Sequence, residues 1–393
     1  MFTDPRQGLS RRDLLAGAMA LGGVMALPKL AFGDDTKRSA TGKTLVLLHL
    51  NGGNDGLNTV VPYKNPRYRT LRPSVGLDRG QVRKISENLG FHPGLQGFEA
   101  LFKRDRLAVV NGVGYPQPNY SHFRSTEIWF TAQPEKTPTY GWLGRAMTAK
   151  ASDAPLRGVA IQKEAPLSFA SETPSTVTMT DFARFRLPSG MESASKLYGQ
   201  YKELGGARAE LGQAGAQAID VAKRIARLKN AGGPFYGGIG TDLRKVLSLL
   251  RADLGLECIQ FQMGGYDTHS NQAASHNRLM TQLGNNLNAF QTELEKSGLG
   301  DRVVTVVMSE FGRRASENIS GGTDHGSAGP VFVMGKGVNA GFHGAYPSLD
   351  DLDRDNLKFT TDFRRIYASL IASTFQMDPT PILGDFKPLE LFA

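Results

Sequence analysis

Apolar residues along the chain fall into two alternating kinds of run. TLVLLHL (44–50), RLAVVNGV (106–113), ECIQFQM (257–263), RVVTVVMS (302–309) and VFVM (331–334) are short, and several are apolar on both faces. That is the pattern of central strands covered on two sides. Between them lie GLQGFEALFK, HFRSTEIWFTA, GWLGRAMTAK, TDLRKVLSLLRADL, the long NQAASHNRLMTQLGNNLNAFQTELEKSG, and finally TDFRRIYASLIASTF, all with apolar residues at helical spacing. Strands alternating with helices predict an α/β fold of three layers built on a doubly wound sheet. Residues 190–238 are rich in Ala, Gly and Lys with helical spacing. They are expected to form a helical cap inserted into a single domain, 34–393, where they shape the substrate pocket. No internal repeat or long low-complexity linker interrupts the chain.

The N-terminus departs from this pattern. Ser10-Arg11-Arg12-Asp13-Leu14-Leu15 is a twin-arginine signature, followed by LLAGAMALGGVMAL, which is short for a membrane span. Ala31-Phe32-Gly33 places small residues where a signal peptidase reads them. Residues 1–33 are therefore read as a leader handed to the twin-arginine translocase and removed near Gly33, leaving no stable transmembrane segment. A retained signal anchor is the alternative. The mature protein is expected in the periplasm or otherwise exported, by a route that carries folded proteins and fits a metal loaded before secretion.

Composition narrows the partners. The 393 residues are 40% hydrophobic and 21% charged, ordinary for a globular protein. The net charge is +9, of which the leader carries +2. The basic residues are dispersed and not interleaved with aromatics, which argues against nucleic acid. An anionic small molecule or an envelope-derived substrate fits better. The single cysteine, Cys258, rules out an internal disulfide and lies in an apolar run, so it reads as a buried thiol.

Ligands of open α/β sheets bind at the carboxyl edge of the strands, and polar residues gather there. NGGNDGLN follows the first strand with Asn54 and Asp55, and the second leads to Asn119-Tyr120-Ser121-His122 at a helix start. GGYDTH follows 257–263, and Asp267 and His269 share one side if that segment is extended. Glu310-Phe311-Gly312-Arg313 follows 302–309. GGTDHGSAGP, with Asp324 and His325, precedes 331–334, and shares the edge if that strand runs antiparallel. A lone Asp at a strand end is ordinarily a turn former or helix cap. Five segments delivering carboxylate and imidazole to one rim point instead to a divalent metal. One or two ions are expected, zinc, manganese or iron ahead of calcium.

Other polar residues leave alternatives. Ser121 either caps its helix or faces an anion at the helix N-terminus. Arg124 is either a surface residue or a clamp on a phosphoryl or sulfuryl oxygen. His122 faces either the pocket or solvent. His49 reads as a hydrogen-bonded core residue and His276 as a supporting contact or a solvated one; His92 and His343 receive no role.

The stretches LVLLHLNGGNDGLNTVVPY, NYSHFRSTEIWFTA, GGYDTHSNQ, VVTVVMSEFGRR, GGTDHGSAGPVFVMG and TTDFRRIYASLI together resemble the alkaline-phosphatase-like and sulfatase superfamily. Within it they resemble the exported twin-arginine branch called the domain-of-unknown-function 1501 family. The resemblance implies an alkaline-phosphatase-like fold, Ser121 as nucleophile, and metal ligands at Asp55, Asp267, His269, Glu310 and His325. Phe311 stands where the superfamily has a histidine. One tight site (Asp267, His269, His325) and a weaker one (Asp55, Glu310) are then expected. Asp324 is available to compensate, with Asn54, His122 and Arg313 alongside. The Asp-x-His spacing is tighter than the superfamily's Asp-x-x-x-His. Phe123 and Ser125 occupy the positions where a formylglycine sulfatase needs Pro and Arg, which argues against that chemistry. The expectation is an exported metal-dependent hydrolase of phosphate or sulfate esters. Phe311 favours the alternative, a non-catalytic exported binding or envelope protein with at most one metal.

Overall fold

The computed structural model describes residues 42–152, 154, 156–185, 191–204 and 206–392. The leader and its cleavage site lie outside the described residues. The main sheet has nine strands: β1 (Thr44–Leu50), β2 (Leu107–Gly114), β3 (Gly158–Ile161), β4 (Thr176–Met179), β5 (Cys258–Met263), β6 (Val303–Ser309), β7 (Gly329–Met334), β8 (Gly341–His343) and β9 (Thr361–Asp362). Their order is β8-β2-β7-β6-β1-β5-β3-β4, with β9 also paired to β2. Only β7 runs against the rest, antiparallel to both β2 and β6. The five strands expected from apolar runs are all present. β3, β4, β8 and β9 are not among the runs read from the sequence; each has four residues or fewer.

β1 is buried throughout and feeds two cores by simple alternation. Val46, Leu48 and Leu50 face one core; Leu45 and Leu47 face the other. The first core is closed by α1 (Gln96–Lys103), α6 (Gly237–Arg251) and α7 (Gln272–Lys296). The second is closed by α2 (His122–Thr131), α3 (Trp142–Ala149) and α8 (Phe363–Leu370), where Trp142 stacks on Tyr367 at 4.3 Å and Trp129 on Phe363 at 4.6 Å. Helices on both faces of a mostly parallel sheet make the three-layer α/β architecture that the sequence predicts.

The inserted segment contains α4 (Met191–Lys202) and α5 (Gly206–Ala226), packed on each other. Ile225 enters the first core, and Arg224 donates to the Ala252 carbonyl at the end of α6. α5 also packs on the turn Phe182–Arg184 that follows the edge strand β4. Among the described residues no hydrogen bond or ion pair joins this hairpin to Asp267, His269 or His325. No helix among the described residues is long and apolar enough to cross a membrane.

Two histidines lie buried beside the first core. His92 and His276 meet edge to face at 5.2 Å. Burial lowers both from the ordinary 6.5, His92 to about 3 and His276 to about 4. Unfolded imidazoles take protons near pH 6.5 while the native ones do not, so stability is full above 6.5 and falls as the pH drops towards 4. For His276 alone the loss is of the order of 3 kcal/mol. Denaturant unfolding of the mature chain in EDTA should show this loss between pH 7 and 4.5, reduced in His276→Gln; equal stability at the two pH values contradicts it.

Candidate metal centre

The C-terminal ends of β1, β5 and β6 and the start of the antiparallel β7 share one edge. At that edge Gly265 takes φ +100°, and the Thr268 N–H then donates back to the Tyr266 carbonyl at 2.9 Å across a tight turn at Asp267. Tyr266 and Thr268 turn inward and are buried, while Asp267 and His269 turn outward together. Facing them, Arg313 and His325 form an isolated antiparallel bridge, which fixes Asp324 and His325 alongside.

Arg313 ties these segments together. Its buried guanidinium donates to the carbonyls of Gly53 (2.8 Å), Thr323 (2.8 Å), Tyr266 (3.1 Å) and Gly52, and to Asp267 Oδ1 (2.7 Å). It is a positioning residue, with no face toward a substrate. The turn it grips accepts only glycine. Gly52 and Gly53 have φ of +123° and +76°, and a Cβ on Gly52 would sit 2.4 Å from the Asp267 nitrogen.

Three imidazoles converge on Asp267. His122 Nδ1 lies 2.7 Å from Glu310 Oε1, His269 Nδ1 3.1 Å from Asp324 Oδ1, and His325 Nδ1 2.7 Å from the Tyr120 carbonyl. Each acceptor assigns the N–H to Nδ1 and turns the Nε2 lone pair inward, the arrangement of histidines that bind metals. His269 and His325 Nε2 are 3.1 and 3.2 Å from Asp267 Oδ1, and 2.9 Å from each other. His122 Nε2 is 3.4 Å from Asp267 Oδ2. That nitrogen is buried and has no hydrogen-bond partner among the described residues. Donor atoms of His122, Asp267 and His325 all lie within 4.8 Å of one another, and His269 extends the group. Donors bound at ~2.0 Å in a tetrahedron stand roughly 3.3 Å apart, so the spacing of the His122, Asp267 and His325 donors is of the size a small divalent ion takes.

The charges suit this. Burial works to raise Asp267, but the hydrogen bond and charge of the Arg313 guanidinium work against it and hold the carboxyl at about 2. Burial likewise opposes ionisation of Glu310, and bonds from His122 and His49 overcome it. Hydrogen bonding to Glu310 in turn raises His122.

The remaining expected site residues divide. Glu310 is fully buried, accepting also from His49 (3.1 Å) and the Gly52 N–H (2.9 Å), so it supports His122 from below. Phe311 forms a wall against His122 and His325, with ring centroids 4.9 and 4.7 Å away. Asp55 is not part of the cluster. It caps the short helix Gly56–Thr59, and both oxygens accept from Arg72 Nη1, at 2.9 and 2.7 Å. Burial would raise its carboxyl, but the Arg72 charge holds it low. The weaker site expected from Asp55 and Glu310 is therefore not assembled. Asn54 points inward to Thr59 and His276. Arg124 turns to Glu127 and the carbonyls of Pro134 and Lys136, so it clamps nothing at this edge. Ser121 is exposed at the start of α2 and makes no side-chain cap bond. It sits in sequence between Tyr120 and His122, both of which contact the cluster. Sequence reasoning missed Arg72, which lies before a proline with no motif around it; for His122, only its place at a helix start hinted at a role.

Removing the partner of a buried charge is costly, about 3–5 kcal/mol. Arg72→Met should lose that much stability in denaturant unfolding. The separate variant Asp55→Asn should bind metal like the unsubstituted protein, and loss of metal from folded Asp55→Asn would restore Asp55 as a ligand.

Comparison with known proteins completes the picture. No curated protein matches the chain. Among solved structures, the lipoteichoic acid synthase LtaP from Listeria monocytogenes is 9% identical, with a TM-score of 0.37 over 77% of this chain and 67% of that one. The C-terminal periplasmic domain of EcEptC from Escherichia coli, solved in complex with Zn, is 11% identical, with a TM-score of 0.40 over 79% and 78%. The phosphonate monoester hydrolase of Agrobacterium radiobacter is 9% identical, with a TM-score of 0.39 over 88% and 78%. The family described as "Protein of unknown function (DUF1501)" matches residues 106–371, the larger part of the chain, and the protein belongs to that family.

Proposed function

We propose that the protein is an exported metal-dependent hydrolase of phosphate or sulfate esters, with Ser121 as its nucleophile. The observation that carries this reading is the set of three imidazoles whose Nδ1 atoms are anchored while their Nε2 atoms surround Asp267. Three nitrogens and a carboxylate suit zinc, then manganese or iron, and suit calcium poorly. An ion held by His122, Asp267, His269 and His325 would supply Lewis-acid polarisation of an ester oxygen and acidify a nearby hydroxyl.

The chain's own residues supply the rest. Glu310, Asp324 and the Tyr120 carbonyl keep protons on the outer nitrogens and the lone pairs aimed inward. Ser121 presents an unengaged hydroxyl at the N-terminus of a ten-residue helix, where free N–H groups and the helix dipole favour an anionic group. Phe311 excludes water behind His122 and His325. The twin-arginine leader supports action outside the cytoplasm. Phe311 at an expected ligand position favoured a non-catalytic binding protein, but His122 provides an imidazole from another segment, so the donor set does not depend on that position.

Elemental analysis of the natively exported protein should find about one transition-metal ion per chain. Glu310→Gln should weaken metal affinity about 10–100-fold. The metal-loaded protein should hydrolyse an aryl phosphate, an aryl phosphodiester or an aryl sulfate. Ser121→Ala should lower that rate by about 10³-fold or more, with unchanged metal content. Full activity in Ser121→Ala removes Ser121 as nucleophile; a metal-loaded protein inert to all three esters supports the binding-protein reading.

A further inference from the structure

Seven large apolar side chains are exposed among the described residues, and the two most exposed, Phe123 and Ile319, are next in the chain to residues that belong to or touch the metal cluster. Tyr120 offers its carbonyl to His325, and Phe123 follows His122. Ile319 follows Asn318, whose side chain donates to the His269 carbonyl at 3.0 Å and to Asp324 at 3.1 Å. Phe359 lies beside Gly114 at the end of β2, where an added Cβ would meet it at 2.8 Å. Phe123 is 90% exposed and Ile319 wholly so. Scattered apolar residues on a surface need no explanation. Two almost wholly in water, each next in the chain to a residue of one reactive cluster or its contacts, do.

Charge accompanies them. Arg314 is exposed, with its backbone N–H on the Asp324 carbonyl at 3.0 Å, and Arg354 is exposed in a nearby turn. Among the described residues neither guanidinium makes a hydrogen bond or ion pair. Arg354 is brought to this edge by its neighbour Asp355, whose carbonyl accepts from the Ala315 N–H at 2.9 Å and whose carboxylate accepts from the Ser316 hydroxyl at 2.8 Å, with Asp353 exposed beside it. The cluster itself is open, with the Asp267 and His269 side chains 49% and 45% exposed. Small-molecule sites bury most of their ligand, so an open cluster flanked by exposed apolar side chains and two arginines suits a substrate presented by a surface.

We propose that this edge docks on an anionic lipid surface, Phe123 and Ile319 entering the interface and Arg314 and Arg354 facing the headgroups, so that the cluster meets a membrane-borne ester. Apolar insertion and attraction to anionic lipid reinforce each other, and the second is weakened by salt. The excess of basic residues in the mature chain, +9 less the leader's +2, or +7, acts in the same direction. Docking rests on the hydrolase reading only for the nature of the substrate, and it is measured without turnover, so each reading fails separately.

The test is sedimentation of the mature, metal-loaded chain with phosphatidylcholine vesicles, with and without phosphatidylglycerol. Binding to the anionic vesicles, reduced by salt, is expected. Phe123→Ser with Ile319→Ser should weaken it about tenfold or more at unchanged Tm and metal content, and Arg314→Gln with Arg354→Gln should remove the preference for anionic lipid. No sedimentation of the unsubstituted protein, or equal binding by the Phe123/Ile319 variant, overturns the proposal. So does a dimer that the same apolar substitutions dissociate in the absence of vesicle binding, which would assign the patch to a second copy of the chain.

Discussion

The guanidinium of Arg313 is the contact on which the whole edge depends. Four carbonyls from three separate loops and the Asp267 carboxylate all accept from it, in a place closed to water. A buried guanidinium is tolerated only when its donors are paired, and a buried carbonyl only when it has a donor. Each therefore holds the other. The loop after β1, the loop after β5 and the segment before β7 cannot move independently while that arrangement stands. The Asp267 carboxylate is consequently set in position, and held ionised, before any ion arrives.

Around this centre the carboxylates have divided labour according to which cation reaches them. Asp55 is met by Arg72 and becomes part of the scaffold. Glu310 lies beneath two imidazoles and stays buried. Asp267 and Asp324 remain at the rim, where one faces the cluster and the other orients His269. All four lie at the same sheet edge, so residue type and strand-end position do not separate ligand from support. The partner across the fold does.

The reversed strand β7 matters for the same reason. A sheet with every strand parallel would present the beginning of β7 at the opposite edge from the ends of β1, β5 and β6. Reversal brings His325 to within 3.2 Å of Asp267. The glycines flanking it permit the close passage: a Cβ on Gly322 would come 2.3 Å from the His269 carbonyl carbon. Backbone contact at that range is open to glycine alone.

The sequence by itself determined five of the nine strands, the main helices, the three-layer class and the edge at which chemistry gathers, because burial on both faces and helical spacing are written locally in side-chain type. It also placed Asp267 and His269 on one side, since alternation along so short a segment needs no knowledge of the rest. Tertiary structure alone decided that His122 turns to the cluster, because its ring is oriented by Glu310 from a strand far along the chain. It alone decided that Asp55 is consumed by Arg72, that Arg124 turns back on its own helix, and that the inserted hairpin packs by the far edge strand. Such choices depend on which charge lies within hydrogen-bond reach after folding, and separation along the chain carries no trace of that distance.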